Sequence, residues 1–129
     1  MTIKAKIDGL FSVDLPDPST DFPEDPEDCW IIVMADIGLE GSPGADEFTF
    51  YVCTPKRLSK VVQHEGFQFG RHLLIVERFD WDTVERAIAR ICEEATGDTW
   101  EQVAKKIGRY GQWEFEDYQE EPVWRPKEE

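Results

Sequence analysis

The sequence predicts an α+β domain in which a small antiparallel sheet of about four to five strands carries two to three helices on one face. In the N-terminal half, apolar residues alternate with polar ones, which is the period of two that strands show. After residue 80, apolar residues recur at spacings of three and four, as in amphipathic helices. Strands come first and helices later, with one helix interposed, and this order favours a sheet covered on one face.

The N-terminal half predicts three strands joined as an antiparallel meander. In the first strand, the alternation continues on both sides of a bend near Gly9. Its apolar positions are Ile3, Ala5, Ile7, Phe11, Val13 and Leu15. Residues 29–38 form an apolar, β-branched run typical of a central strand, and residues 47–53 alternate again. Glycine, serine and proline at 38–44 predict the turn between these two strands.

A short helix and a further strand follow the meander. Thr54 can cap a helix, and Pro55 suits its first position because the missing amide hydrogen needs no partner there. Gly66 then ends this helix. The apolar residues within 71–78 predict the next strand.

Two more helices are predicted in the C-terminal half. Asp80 caps the first, and Gly97 ends it. Asp98 begins the second, with Glu101 three residues later as in an acidic capping box. The inward residues of the two helices are Val84, Ile88, Ile91, Cys92 and Ala95, and then Trp100, Val103, Ala104 and Ile107.

The charge of the chain limits the partners that it can have. It contains 28 acidic and 14 basic residues, for a net charge of −14. This charge repels the phosphates of nucleic acids and of anionic membranes, so neither is expected as a partner. It attracts positively charged proteins and raises their rate of association. The alternative is that the acidity only keeps the chain soluble.

Two acidic stretches are candidate binding surfaces. Residues 14–28, the acidic loop, contain four prolines and no basic residue, which predicts an exposed segment. Residues 112–129, the acidic tail, place aromatic rings between carboxylates, and aromatic side chains often anchor protein interfaces. The candidate contacts are Asp21, Glu24, Asp25, Glu27 and Asp28 in the loop, and Trp113, Glu114, Glu116, Asp117 and Trp124 in the tail. The alternatives are a solvated loop and a tail clamped to the body by its tryptophans.

Length and cysteine content indicate one domain of a cytoplasmic protein. The 129 residues suffice for one hydrophobic core, and we expect a single domain over residues 1–129. The sequence contains neither a signal-peptide pattern nor an apolar run of membrane-spanning length. Its three cysteines lie beside apolar neighbours, which favours buried, reduced thiols.

No catalytic, metal or cofactor site is predicted. Cys53 lies where a strand meets a helix, and a helix N-terminus can lower the pKa of a thiol, with His64 or His72 as a candidate base. However, Cys53 also continues the alternation of its strand, which favours a position in the core. The cysteines and histidines lack the spacing of a zinc site, and the acidic residues lack the pattern of a calcium-binding loop.

Four segments of the chain carry a family resemblance. They read FYVCTPKRL at residues 50–58, HLLIVERFD at 72–80, GDTWE at 97–101 and GRYGQWEFEDY at 108–118. Together, and in this order, they resemble the immunity protein 8 family of bacterial polymorphic toxin systems. The resemblance covers roughly residues 30–118, and the WEFEDY ending is its most specific part.

The resemblance implies an α+β immunity protein of the cytoplasm that neutralises a toxin domain encoded beside it, often a nuclease. It carries over no catalytic residues, and it leaves the acidic loop outside the matched segments. A small enzyme or ligand-binding domain with a pocket between sheet and helices is one alternative, and an adaptor for a basic cellular protein is another. The exposed edge of a small sheet also allows pairing in a homodimer.

Overall fold

The computed structural model describes residues 2–116 and confirms the α+β prediction. Within these residues, three helices accompany a five-stranded sheet whose strands are mostly antiparallel. In chain order the elements are β1 Ala5–Phe11, β2 Trp30–Leu39, β3 Asp46–Cys53, α1 Pro55–Glu65, β4 Leu73–Ile75, α2 Trp81–Glu94, α3 Trp100–Ile107 and β5 Gln112–Trp113.

The sheet is arranged around β3. The strands β1, β2 and β3 form the predicted antiparallel meander. The other edge of β3 is shared, because β4 pairs in parallel with residues 51–53 and β5 pairs antiparallel with residues 48–49. The strand predicted over residues 71–78 is only three residues long. It begins late because His72 takes a left-handed backbone (φ of 63°) just before it. Beyond its other end, the N–H of Phe79 donates to the carbonyl of Pro26 in the acidic loop and not to a neighbouring strand.

The helices α2 and α3 cover one face of the sheet. Alternate side chains of β2 and β3 point into the core between them, as the period of two along a strand requires. The fully buried members of this core include Val33, Ala35, Ile37, Phe48, Val52, Val84, Ile88, Val103, Ala104 and Ile107. Helix α1 contributes no buried side chain. The face of the sheet opposite to α2 and α3 is called the open face below.

The register of β1 corrects one detail of the prediction. Ile7 pairs with Ile37, but Gly9 pairs with Asp36, so one extra residue enters β1 between them. A shift of one residue turns every later side chain of the strand to the other face. Leu10 therefore packs against the core, whereas Phe11, which was expected to point inward, is 36% exposed.

The helix starts follow local hydrogen bonding. The side chains of Thr54 and Asp80 cap α1 and α2, as predicted. The cap of α3 is Thr99 rather than Asp98, because the hydroxyl of Thr99 accepts a hydrogen bond from the N–H of Gln102 at 3.2 Å. The one-residue error reflects two adjacent residues that are both good caps.

Candidate functional site

The acidic loop is ordered by its own carboxylates. The side chain of Asp14 accepts the N–H of Ile32 in β2 at 2.9 Å. Asp17 accepts bonds from the hydroxyl and the N–H of Ser19, and these bonds lower the pKa of Asp17. Asp21, a predicted contact, accepts the N–H of Asp17 at 2.9 Å. Several of the acidic side chains in this loop therefore shape the loop itself.

Asp28 fastens the end of the acidic loop to α1. Its carboxylate pairs with Arg57 at 2.8 Å and also with Lys60, and its side chain is only 11% exposed. The hydrogen bonds from Lys60 and then Arg57 hold the pKa of Asp28 below its ordinary value. Of the predicted loop contacts, Asp28 is thus the one with the strongest internal role.

The role of Asp28 predicts a specific pH dependence of stability. Because its pKa is lower in the folded chain, its contribution is present above the ordinary value of 3.8 and is lost as the pH falls through the folded value. We expect Asp28→Asn to unfold at a lower urea concentration than wild type at neutral pH. The gap between the two should close at pH values below 3.8. A gap of the same size at every pH contradicts the ion-pair assignment.

An acidic hollow of about 540 Å³ opens between the acidic loop, the start of β2 and α1. Glu24, Asp25 and Asp28 line it together with the indole of Trp30, and so does Arg57, which is paired with Asp28. Phe22 also lines it, and this side chain is largely exposed. The structure therefore brings three of the five predicted loop contacts together around one depression with aromatic walls.

The other two loop contacts lie outside this hollow. Glu27 is 55% exposed and makes long ion pairs with Lys56 at 3.8 Å and Arg78 at 3.6 Å. Such exposed pairs contribute little to stability. Asp21 remains in the turn that it closes with Asp17.

The described part of the acidic tail packs back onto the sheet. Trp113 stacks on Phe48 with ring centroids 6.4 Å apart, and its indole N–H donates to Asp46 at 2.9 Å. Glu114 accepts the N–H of Glu47 at 2.7 Å. These two predicted contacts therefore have internal partners, and Trp113 clamps the tail to the body.

The remaining tail residues divide between the described and the undescribed parts of the chain. Glu116 forms an ion pair with Arg71 and lies 3.5 Å from the ring of His72. Asp117 and Trp124 lie outside the residues that the structure describes.

A groove of about 740 Å³ between α3 and β5 suits a basic partner less well than the acidic hollow does. Glu101 and Glu116 line it together with Trp113, but so do three cations, Arg71, Lys105 and Arg109. Like charges repel at close range, so these three cations oppose a positively charged surface. The predicted loop contacts thus lie mostly among carboxylates, whereas the predicted tail contacts Trp113 and Glu116 lie beside cations.

The two sets of predicted contacts also lie at opposite ends of β3. Glu114 bonds to Glu47 at the start of the strand. The residue that follows the acidic loop, Cys29, donates its N–H to the hydroxyl of Thr54 just beyond the other end. The extended chain between these two points is about 20 Å long. A single contact patch cannot be centred on both sets.

The open face of the sheet is a candidate surface that the sequence did not reveal. Residues directly opposite one another on paired strands project to the same side. The open face contains Phe11 of β1, Trp30, Ile32 and Met34 of β2, and Thr49, Tyr51 and Cys53 of β3. Cys53 is fully buried at one end of this face, the residues of β2 with Thr49 and Tyr51 are half-buried, and Phe11 is exposed. Val13, two residues beyond Phe11, is 71% exposed at its margin. The signal was the apolar run 29–38, which places large side chains on both faces of one strand.

The geometry around Cys53 does not support nucleophilic catalysis. Its side chain is fully buried, and burial raises the pKa of the thiol. Cys53 is opposite Ile75, three residues beyond His72, which corresponds to about 10 Å along the strand. His72 instead donates from Nε2 to the carbonyl of Gly108 at 2.9 Å. Within residues 2–116, no group of three or more metal-ligating side chains converges.

Burial of all three thiols predicts their chemical behaviour. Cys29, Cys53 and Cys92 are buried, and burial raises the pKa of Cys92 to about 11. We expect none of them to react with iodoacetamide in the native chain at neutral pH, and all three to react in urea. The variant Ser59→Cys, with its thiol on the exposed side of α1, is the positive control. Rapid modification of a native thiol contradicts the buried assignment.

The fold and these surfaces define a small α+β domain with acidic and apolar patches that are open to a protein partner. A family model described as Immunity protein 8 matches residues 5–118, and the chain belongs to this family. The match includes the acidic loop, which the sequence resemblance had left out. Family membership supports an immunity role, which implies a toxin as the binding partner.

Two further findings accompany the family assignment. Searches of curated proteins and of solved structures return no match. None of the helices within residues 2–116 combines the length and the apolar character needed to cross a membrane.

Proposed function

We propose that this chain binds and neutralises a cognate toxin domain of a bacterial polymorphic or contact-dependent system, and that it acts in the cytoplasm of the cell that makes the toxin. The observation that carries the proposal is the family match over residues 5–118. The chain acts as a single immunity domain and needs no cofactor.

The charge of the chain favours a basic toxin, and a nuclease is the best candidate. A nuclease holds phosphates and therefore presents a positively charged active site. A chain with a net charge of −14 attracts such a surface from a distance and competes there with the nucleic acid. Glu24 and Asp25 at the acidic hollow offer carboxylates to it, beside the exposed ring of Phe22.

Rescue from the toxin tests the proposed function directly. The toxin domain encoded beside this chain is expressed from an inducible promoter, with or without the chain. We expect growth arrest without the chain and normal growth with it. An unrelated acidic protein of similar size serves as control. Continued arrest despite a soluble, folded chain refutes the proposal, and an ordinary basic cellular protein recovered as the sole partner favours the adaptor alternative.

Charge reversal at the acidic hollow tests the electrostatic part of the proposal. We expect Glu24→Lys with Asp25→Lys to slow association with the toxin by about tenfold at low salt, and by less at high salt, because steering is screened. Stopped-flow fluorescence measures the rate. The matched control is Glu85→Lys with Glu93→Lys on the exposed side of α2, which changes the net charge equally. Equal rates for the two pairs contradict a role of the hollow beyond net charge.

A further inference from the structure

We infer that the open face of the sheet is the surface on which the toxin docks, with the acidic loop and the start of β3 as its charged margins. This inference rests on the proposed function and assigns a binding surface to it. The occupant is a basic protein surface with apolar groups at its centre. The inference comes from the strand register, the exposure of Phe11 and Val13, and the placement of the carboxylates.

The centre of the open face is a continuous apolar strip. Phe11 lies opposite Met34, which lies opposite Thr49 in the next strand. One step along the sheet, Ile32 lies opposite Tyr51. Neither α2 nor α3 packs on these side chains, because the register places them on the side away from the core. Large apolar and aromatic side chains grouped in this way are typical of the centre of a protein interface.

The irregularity of β1 enlarges this strip. Without the extra residue between Ile7 and Gly9, Phe11 would point toward the core and Leu10 outward. The shift instead places the ring of Phe11 beside Met34 and leaves Val13 71% exposed at the margin. Folding gains little from these two side chains because they stay exposed, whereas a partner that covers them gains from their burial.

Carboxylates lie at both ends of the strip. Asp36 and Glu47 are directly opposite each other on β2 and β3, and like charges at such a position repel. Among residues 2–116, neither has an ion-pair partner. At the other end, Glu24 and Asp25 line the hollow that Trp30 shares with the open face. A partner with cations around an apolar centre would therefore be complementary to this face.

Two exposed apolar residues provide the direct test. We expect Phe11→Lys with Val13→Lys to weaken toxin binding by roughly 100-fold, because lysines remove apolar contact and repel a basic partner. The matched control is Phe67→Lys with Phe69→Lys, which alters two aromatic residues of the segment between α1 and β4 that are 61% and 77% exposed. It should bind within about threefold of wild type. Titration calorimetry with a catalytically inactive toxin measures both pairs.

The expected change in affinity must be separated from a failure to fold. Urea unfolding and circular dichroism establish that each variant is native. If the double variant is unfolded, Val13→Lys alone replaces it, since Val13 lies outside β1 and is mostly exposed. The single variant should still weaken binding by about tenfold.

The charged margin supplies an independent test. We expect Asp36→Asn with Glu47→Gln to resist urea at least as well as wild type, because a repulsion is removed, and to bind the toxin about tenfold more weakly. A structural role alone would not weaken binding while leaving stability unchanged or higher.

The outcomes separate this inference from the proposed function. If the wild-type chain neither binds nor rescues, the proposed function fails. If the wild-type chain binds and rescues but the open-face variants bind as tightly as wild type, the proposed docking surface is wrong and the proposed function stands. The same conclusion follows if only the variant at Phe67 and Phe69 loses binding. If light scattering shows a wild-type dimer, and the Phe11 and Val13 pair makes it a monomer that binds the toxin normally, a second copy is the occupant and the inference is overturned.

Discussion

Gly111→Ala is expected to lower the free energy of unfolding by about 2 to 3 kcal/mol, which is the upper range for overpacking a core. A methyl group at this position would lie within 2.7 Å of three ring carbons of Phe50. Phe50 is itself buried in β3, so its ring has no free space into which to move. Gly111 is needed for close packing of the turn after α3 on the sheet.

Urea unfolding of a double-mutant cycle measures this effect. Phe50→Leu alone removes ring volume and should cost about 1 to 2 kcal/mol. Combined with Gly111→Ala, it should cost less than the sum, because the leucine leaves room for the new methyl group. Gly70→Ala is the control, since no atom lies within 4 Å of its added methyl group. Simple additivity of the two substitutions would falsify the clash.

The elements that could be predicted from the sequence are those fixed by local chemistry. The alternation in residues 47–53 and the caps at Thr54 and Asp80 depend on neighbours in the chain, and all three are confirmed. The extra residue in β1 could not be predicted, because the apolar pattern around Gly9 fits either face. The pairing of β5 with β3 joins segments about 64 residues apart, and no local pattern of two residues specifies it.

The candidate site was predicted in part. The charge of the acidic loop was evident from sequence, but which carboxylates remain available was not. Asp28 forms an ion pair with Arg57 because α1 lies beside the end of the loop. The open face was missed for a related reason. An apolar run such as 29–38 is compatible with helices on both faces of its strand, and only the structure shows that α2 and α3 pack on one of these faces and leave Phe11 exposed on the other.

The structure also changes the meaning of residues 108–118, the last segment that carries the family resemblance. Gly111 fits against Phe50, Trp113 stacks on Phe48, and Glu116 pairs with Arg71. Because these contacts are made within the chain, the described residues of this segment have a role in folding that accounts for them without a toxin contact. The toxin contacts proposed for Trp113 and Glu114 remain predictions, and the acidic hollow and the open face have the stronger physical support.

Asp46→Ala is the second substitution with a large expected effect. The carboxylate of Asp46 accepts the indole N–H groups of both Trp100 and Trp113, at 2.7 and 2.9 Å. It thereby joins the start of β3 to α3 and to β5. Alanine leaves two partly buried donors without this acceptor, and hydrogen bonds to a charged group contribute about 1.5 to 3 kcal/mol each. We expect a loss of about 3 kcal/mol in the free energy of unfolding.

Asp46→Asn distinguishes the hydrogen bonds from the charge. The amide oxygen of asparagine can still accept from both indoles, so this variant should lose only about 1 kcal/mol. Asp98→Ala, which removes an exposed carboxylate near the start of α3, should lose less than about 0.5 kcal/mol. Urea unfolding followed by tryptophan fluorescence compares all three. If alanine and asparagine at position 46 are equally destabilising, the charge rather than the shared acceptor holds the two indoles. If both variants instead lose less than about 1 kcal/mol, the two bonds contribute little, Trp113 is less firmly fixed to the body than its geometry indicates, and its role as a toxin contact regains support.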